Sequence, residues 1–283
     1  MMRKQLAVVA VATVLVCGLA LNSRATLLFS EGFNYTAGTS LAGNDGWASG
    51  GSALSITSGN LTYPGLADLG GNELLDTSGS ASSTSNQISP SAITDGTVYY
   101  SFILSPTALP TANEYLTSLT LNTLPSGSSD PLVVYVGAGN TGNYKIGVRH
   151  GGSGAVYTNS VGANVGNGLA TLNSTNFIVV AYTFNPGANN DSVSLWFDPT
   201  PGGSMPAPDE IVVGNSGTVD AAGLQTVGFK AQSSTAAGNW IFDTLRIGDT
   251  WADVTPAVPE PSTWALVGSG LALMFGMIRR RRS

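Results

Sequence analysis

The chain is 283 residues long and has 17 acidic and 11 basic side chains, one histidine and one cysteine. Seven of the basic residues sit at the two ends, Arg3, Lys4 and Arg24 at one and Arg279 to Arg282 at the other, so the intervening body carries four basic against 17 acidic residues, a formal charge of −13. Lys145, Arg149, Lys230 and Arg246 are too few to neutralise a stretch of phosphates, which excludes nucleic acid as a partner by that route, and the lone Cys17 excludes a disulfide framework.

Met1 to Ala25 has a basic start (Arg3, Lys4), an apolar run from Leu6 to Leu21, and the small residues Ser23 and Ala25 flanking Arg24. This is the layout of a secretory signal peptide, with Ala25 as the residue that signal peptidase cuts after. Val16 precedes Cys17 where lipid attachment needs a small residue, so lipidation is not expected. Removal of residues 1–25 leaves a mature chain without cysteine, and its stability must come from a packed core.

The body, residues 26–256, is rich in Gly, Ser, Thr and Asn, but its apolar residues come in short runs divided by turn formers, as in an all-β domain. Its length fits one sandwich. A first strand is expected over Leu27 to Phe33, followed by a Gly/Asn/Asp-rich loop. Leu54 to Thr57 and Asn60 to Tyr63 flank Ser58-Gly59 and predict a hairpin. Pro64 to Asp95 reads as loops, with Ser78 to Gln87 its least ordered part. Thr97 to Leu104 is apolar at nearly every position, as for a strand covered on both faces. Strands follow at Tyr115 to Leu121, Leu132 to Val136, Asn143 to Arg149, Phe177 to Phe184 and Ser192 to Asp198. Beyond the proline-rich Pro199 to Pro208, they continue at Ile211 to Val213, Leu224 to Ala231 and Asn239 to Gly248. Phe102, Val179, Tyr182, Leu195, Phe229 and Ile241 are the expected core. Val254 to Ser262, with three prolines, reads as an extended tether.

The opening LLFSEGFNYTAGTSL and the closing NWIFDTLRIGDTWADVTP resemble the ends of concanavalin A-like (laminin G-like) domains. That resemblance implies a jelly-roll sandwich whose first and last strands pair, with Phe29 and Phe33 near Ile241 and Leu245. Jelly-roll glucanases carry Glu-x-Asp-x-x-Glu on one strand, and no such stretch exists here. NYKIGVRHGG, ending at the only histidine, His150, resembles a strand of jelly-roll alginate lyases, but the Arg/Glu strand and Gln-x-His segment of that family are absent. His150 is expected exposed at a strand end, and its solitude argues against a histidine metal or triad site. Asn44-Asp45 and Asn189-Asn190-Asp191 offer hard oxygen ligands for Ca²⁺, at a spacing that specifies no site. No metal and no cofactor is therefore assigned from the sequence.

The last stretch, residues 257–283, has three parts in order. Pro259, Glu260 and Pro261 form a stiff non-helical element. An apolar helix spans about 263–278, and Arg279, Arg280, Arg281 and Arg282 close it as a membrane stop. At 1.5 Å per residue the uncharged run from Trp264 to Ile278 is about 22 Å long, short for a permanent span of a core of roughly 30 Å. The three parts together closely resemble the PEP-CTERM sorting signal of Gram-negative bacteria. The resemblance implies a precursor held transiently in the inner membrane, an exosortase-type sorting enzyme as partner, and a destination at the cell surface or in an extracellular matrix rich in polysaccharide. With no carboxylate pair, histidine constellation or cysteine nucleophile in view, the expected role is non-catalytic, in contact with extracellular polysaccharide. A secreted carbohydrate-active enzyme, lyase or hydrolase, is the alternative.

Replacing Pro259, Glu260 and Pro261 by alanine is expected to leave the protein in the membrane fraction with residues 279–282 attached. Mass spectrometry of the chain ends, in strains with and without the sorting enzyme, reads this out. An intact arginine tail on wild-type protein at the surface would contradict it.

Overall fold

The computed structural model describes residues 27–48, 53–77, 82–121, 124–127, 130–139, 142–154, 156–157, 170–215, 217–231 and 238–258. Ala25, the Pro259 to Pro261 motif, the expected membrane helix and Arg279 to Arg282 lie outside these residues. No helix among the described residues is long and apolar enough to cross a membrane.

Fifteen strands are described. They are β1 (Leu27–Glu31), β2 (Leu54–Thr57), β3 (Glu73–Asp76), β4 (Ser82–Gln87), β5 (Thr97–Ala108), β6 (Glu114–Thr120), β7 (Leu132–Ala138) and β8 (Asn143–His150), then β9 (Val156–Tyr157), β10 (Ala170–Thr171), β11 (Asn176–Thr183), β12 (Ser192–Phe197), β13 (Glu210–Val213), β14 (Thr226–Ala231) and β15 (Asn239–Gly248). One short helix, α1 (Trp251–Val254), follows. Two antiparallel sheets result, eight-stranded in the order β13-β12-β11-β5-β15-β3-β2 with β1 also on β15, and seven-stranded in the order β10-β8-β7-β6-β14-β4 with β9 on β8. They pack face to face as the expected all-β jelly-roll sandwich.

Period-two alternation decides which side chains meet between the sheets. Tyr144, Ile146, Val148 and His150 of β8 face the interior, while Lys145 and Arg149 face out. The centre is a chain of rings: Phe229 lies 5.6 Å from Trp47, 6.1 Å from Phe33 and 5.1 Å from Phe242, which reaches Phe102 at 5.8 Å. A second apolar cluster lies on the outer face of the eight-stranded sheet. There Leu61, Tyr63 and Leu66 from the 58–72 segment, with Trp251 and Val254 from α1, cover Ile103, Phe177, Val179, Ala181 and Trp196. β5 and β11 are therefore buried on both sides, as their unbroken apolar runs imply.

The sequence reading needs correction in five places. Asn60 to Tyr63 is not a strand: β2 pairs with β3, Thr57 opposite Glu73, and the intervening chain crosses the outer face instead. Gly59 permits that crossing, since a Cβ there would sit 2.2 Å from Oε2 of Glu73. The stretch from Pro64 to Asp95, read as loops, holds β3 and β4. β4 is ordered by polar contacts, its inward Thr84 and Asn86 bonding the main-chain oxygens of Ala48 and Asp45. Its inner face thus packs on loop backbone, where hydroxyl and amide groups suit better than apolar ones. β1 and β15 do pair, but with Phe29 opposite Ile247 and Glu31 opposite Leu245. Phe33 leaves the strand at φ +52° and packs on Phe229. Ile241 is half-buried and faces outward; its neighbours Trp240 and Phe242 fill the core, whereas Phe102, Val179, Tyr182, Leu195 and Phe229 are buried as expected. Val254 to Val258 is no free tether: Val254 and Thr255 are buried, Pro256 accepts from Ala67 N, and Val258 N donates to Gly65.

Phe229→Ala is expected to destabilise the domain by about 3–5 kcal/mol, because it opens a cavity where four rings meet. Val219→Ser, at a side chain 76% exposed, should stay within about 0.5 kcal/mol. Urea denaturation of the two variants checks both.

Candidate functional site

His150, expected exposed, is fully buried. It ends β8 on an inward position and lies against Tyr182 of β11, ring centroids 5.5 Å apart and stacked. The Tyr182 hydroxyl donates to Asp191 Oδ2 at 2.6 Å and accepts the Ala221 N–H at 2.8 Å, and His150 Nε2 lies 3.2 Å from it. Since that hydroxyl directs its own proton at Asp191, a neutral His150 reaches it with its ring proton on Nε2, as a donor to the Tyr182 oxygen. His150 Nε2 is also 3.9 Å from Asp220 Oδ1. Asp220 accepts from the main-chain N–H groups of Asn190 and Asp191, and Asp191 Oδ1 accepts from Asn185 N at 2.7 Å. The ends of β8, β11 and β12 and the loop before β14 are thereby tied together. Burial pushes the imidazole pKa down, against the pull of Asp220 and Asp191 in the other direction. Burial and the Asp191 bond push the Tyr182 phenol up.

His150, Asp191 and Asp220 bring potential metal-ligating atoms within 4.8 Å of one another, a convergence that the solitude of His150 in the sequence did not suggest. Its signal was there in the period-two phase of β8, which puts His150 inside with Tyr144, Ile146 and Val148. The arrangement does not fit Ca²⁺. All four carboxylate oxygens receive N–H or O–H donors, and the Asn189-Asn190-Asp191 loop turns main-chain N–H groups, not carbonyls, toward Asp220. At Asn44-Asp45 the turn is held by amide bonds, Asn44 Nδ2 donating to Ser40 O at 2.7 Å and Asn86 Nδ2 to the Asp45 carbonyl, and no group of three His, Cys, Asp or Glu side chains converges there among the described residues. His150 and Tyr182 are fully buried and Asp191 is 3% exposed, while the Asp220 side chain is 20% exposed, so the cluster is a hydrogen-bonded lock that reaches the surface only at Asp220.

Other carboxylates weighed for chemistry have structural partners too. Asp209 Oδ2 accepts Phe197 N at 2.7 Å, and Glu210 is buried in β13 opposite Leu195. Asp243 is fully buried and accepts the N–H groups of Leu61 and Thr244, holding the 58–72 segment on the sheet. Its pKa is pushed up to about 7, first by burial and then by Glu73 and Asp68. Trp47, Trp196 and Trp240 are core residues, and Trp251 donates to Gly203 O beneath the outer cluster. The three buried indoles offer no open face to a sugar ring, and Trp251 is partly buried.

The outer face of the seven-stranded sheet differs. Lys145 and Arg149 of β8 and Lys230 of β14 point away from the core there, three of the four basic residues of the body. Tyr135 of β7 lies between them, its hydroxyl 3.4 Å from Arg149 Nη1 and its ring 5.5 Å from that of Tyr115. Lys230 Nζ lies 5.1 Å from the Tyr115 ring and donates to Ser126 O. Asp130 accepts the Tyr115 hydroxyl, Ser126 and Gly127, pinning residues 126–127 to this face. The fourth base, Arg246, is 5% exposed on the opposite sheet.

Residues 257–282 match the PEP-CTERM protein-sorting motif. The motif implies exosortase-dependent export with membrane-anchored processing in Gram-negative bacteria. No curated protein matches the chain. Among solved structures it is similar to the T. cruzi calreticulin globular domain, at 13% identity and TM-score 0.47, over 81% of this chain and 90% of that one. It is similar to a glycosyl hydrolase family protein from Mycobacterium fortuitum, at 13% identity and TM-score 0.44, over 78% and 99%. The Ca²⁺/Man3GlcNAc-bound VIP36 exoplasmic/lumenal domain follows at 11% identity and TM-score 0.42, over 82% and 94%.

Because the folded state depresses the His150 pKa, it binds fewer protons than the unfolded chain. The contribution of His150 to stability is therefore whole above the unfolded value of 6.5 and is lost as pH falls below it. His150→Gln is expected to flatten this acid limb between about pH 6.5 and 5, read as the difference in denaturant midpoint between variant and wild type at each pH.

Proposed function

We propose that this is a non-catalytic protein of the cell surface or extracellular matrix that contacts acidic polysaccharide through the outer face of its seven-stranded sheet. The observation that carries the reading is the collection of Lys145, Arg149 and Lys230 on one face of a body of charge −13. On such a body a polyanion is repelled everywhere except where cations are grouped, and Tyr135 adds an amphipathic surface between them. Export by the sorting motif supports the setting, since an exported protein meets surface glycans. The non-catalytic part is supported by the histidine being buried and by Asp191, Asp220, Asp209 and Asp243 each accepting main-chain N–H bonds that hold loops and strands in place.

The test is binding of the purified protein to uronate-containing and neutral polysaccharides over a range of salt. Acidic chains should be preferred, with affinity falling as salt rises. Exchanging Lys145, Arg149 and Lys230 together for glutamine should weaken that binding at least about tenfold, equivalent to about 1.4 kcal/mol. Equal binding of neutral chains at high salt would refute the charge-based reading. Release of reducing ends or unsaturated uronate, abolished by His150→Ala, would establish the enzyme instead.

A further inference from the structure

Among the described residues, the carboxylate atoms that are fully buried without a hydrogen-bond partner are both oxygens of Asp76 and Oε1 of Glu114. These two residues come from opposite sheets and face each other across the sandwich interior. Asp76 ends β3 directly opposite Trp240 of β15, and cross-strand partners share a face, so its carboxylate lies on the inner side beside the indole. Trp240 Nε1 in turn donates to Glu114 Oε2 at 3.0 Å, and Gly238 N donates to the same oxygen at 2.8 Å. Glu114 opens β6 opposite Val136, a core residue, and is 2% exposed, while Asp76 is 1% exposed. Trp240 thus lies opposite Asp76 in the sheet and donates to Glu114, while both oxygens of Asp76 and Oε1 of Glu114 have no donor.

Elsewhere in this protein buried carboxylates collect main-chain N–H, hydroxyl or indole donors, as Glu31, Asp191, Asp198 and Asp243 do. Two neighbouring acids whose only donors lie on Oε2 of Glu114 cannot both stay ionised in a dry interior, since Asp76 lacks any donor and each repels the other. Either a proton or a cation makes up the charge. A shared proton joins one oxygen of each acid, leaves the third unmade and cancels one charge, whereas a hard divalent cation takes all three and cancels both. We propose that Asp76 and Glu114 form a Ca²⁺ site that clamps the two sheets together at this end of the sandwich. Ca²⁺ takes six to eight oxygens, so main-chain carbonyls or water complete the shell. The site is separate from the Asn44-Asp45 and Asn189-Asp191 loops and stands or falls independently of polysaccharide binding.

The experiment uses the full-length chain in detergent, stripped with chelator and titrated with Tb³⁺ and then Ca²⁺. Trp240, bonded to one ligand, should sensitise Tb³⁺ luminescence that Ca²⁺ displaces. Ca²⁺ at a hundred times its Kd should raise the melting midpoint by roughly 5–10 °C. Asp76→Asn removes a buried charge and should fold without metal, yet lose both responses, with Ca²⁺ affinity down at least tenfold; Glu114→Gln should behave alike. Trp240→Phe should dim the luminescence more than it weakens the Ca²⁺-dependent melting shift. No displaceable luminescence and no melting shift in the wild type, or responses unchanged in Asp76→Asn, would overturn the site and leave a shared proton as the account of the pair.

Discussion

The structure depends on how an acidic chain with few cations satisfies its carboxylates. Most of the buried ones are tied to N–H and O–H donors of the chain itself. Glu31 takes Phe33 N, the Tyr35 hydroxyl and Trp47 Nε1. Asp198 takes Phe177 N and Asn176 Nδ2, Asp130 fastens Ser126 and Gly127, and Asp253 caps α1 through Thr250. A bond to a charged group contributes about 1.5–3 kcal/mol, more than one between neutral partners. Glu31, Asp198 and Asp130 sit where a strand meets a loop and Asp253 sits in the first turn of α1, so these connections of a Gly- and Ser-rich chain are fixed by carboxylates. Much of the net charge of −13 is thereby made structural.

The same economy explains why the two sheets differ on their outer faces. The eight-stranded sheet carries apolar residues on both sides at β5 and β11, and its outer side needs a cover. The 58–72 segment and α1 supply one, held by Asp243 on Leu61 N and by the Gly65 and Ala67 bonds to residues 256–258. The seven-stranded sheet alternates cleanly at β8 and β14, so its outer side bears Lys145, Arg149 and Lys230. On the first sheet the outer side is closed by that packed layer, whereas on the second β8 and β14 keep Lys145, Arg149 and Lys230 partly exposed beside the buried Tyr115 and Val133.

What the sequence disclosed follows the same division. Strands recognised by apolar runs or alternation, β5, β7, β8, β11, β12, β14 and β15, were legible because the interior of a sandwich selects apolar residues at period two. β4 was not, because its inward Ser82, Thr84 and Asn86 bond a loop backbone, so the polar residues that mimic disorder are the ones its packing requires. β3 was missed since four residues bounded by Glu73 and Asp76 show too little period. The Ser58-Gly59 hairpin failed because Gly59 serves close approach to Glu73 rather than a turn between strands. His150 was readable by phase and misjudged by its neighbours Gly151 and Gly152. Its partners Asp191 and Asp220 lie on separate loops, and nothing local to either marks them as converging.

The two ends of the body meet on β15, which bears on how the precursor is handled. Leu27 pairs with Gly248, two residues past the signal peptide cut expected after Ala25, and Val258, the residue before Pro259, is bonded to Gly65. Only residues 259–262 separate this docked segment from the helix expected to start near 263. Fully extended, four residues reach at most about 14 Å, so while that helix is in the membrane the folded body is held against its surface. A sorting enzyme reading Pro259-Glu260-Pro261 must then work in the narrow space between body and bilayer, beside main-chain bonds that fix the residues just upstream. Those bonds come from loops whose position rests on Asp243, so completion of the fold also sets where the sorting motif is presented.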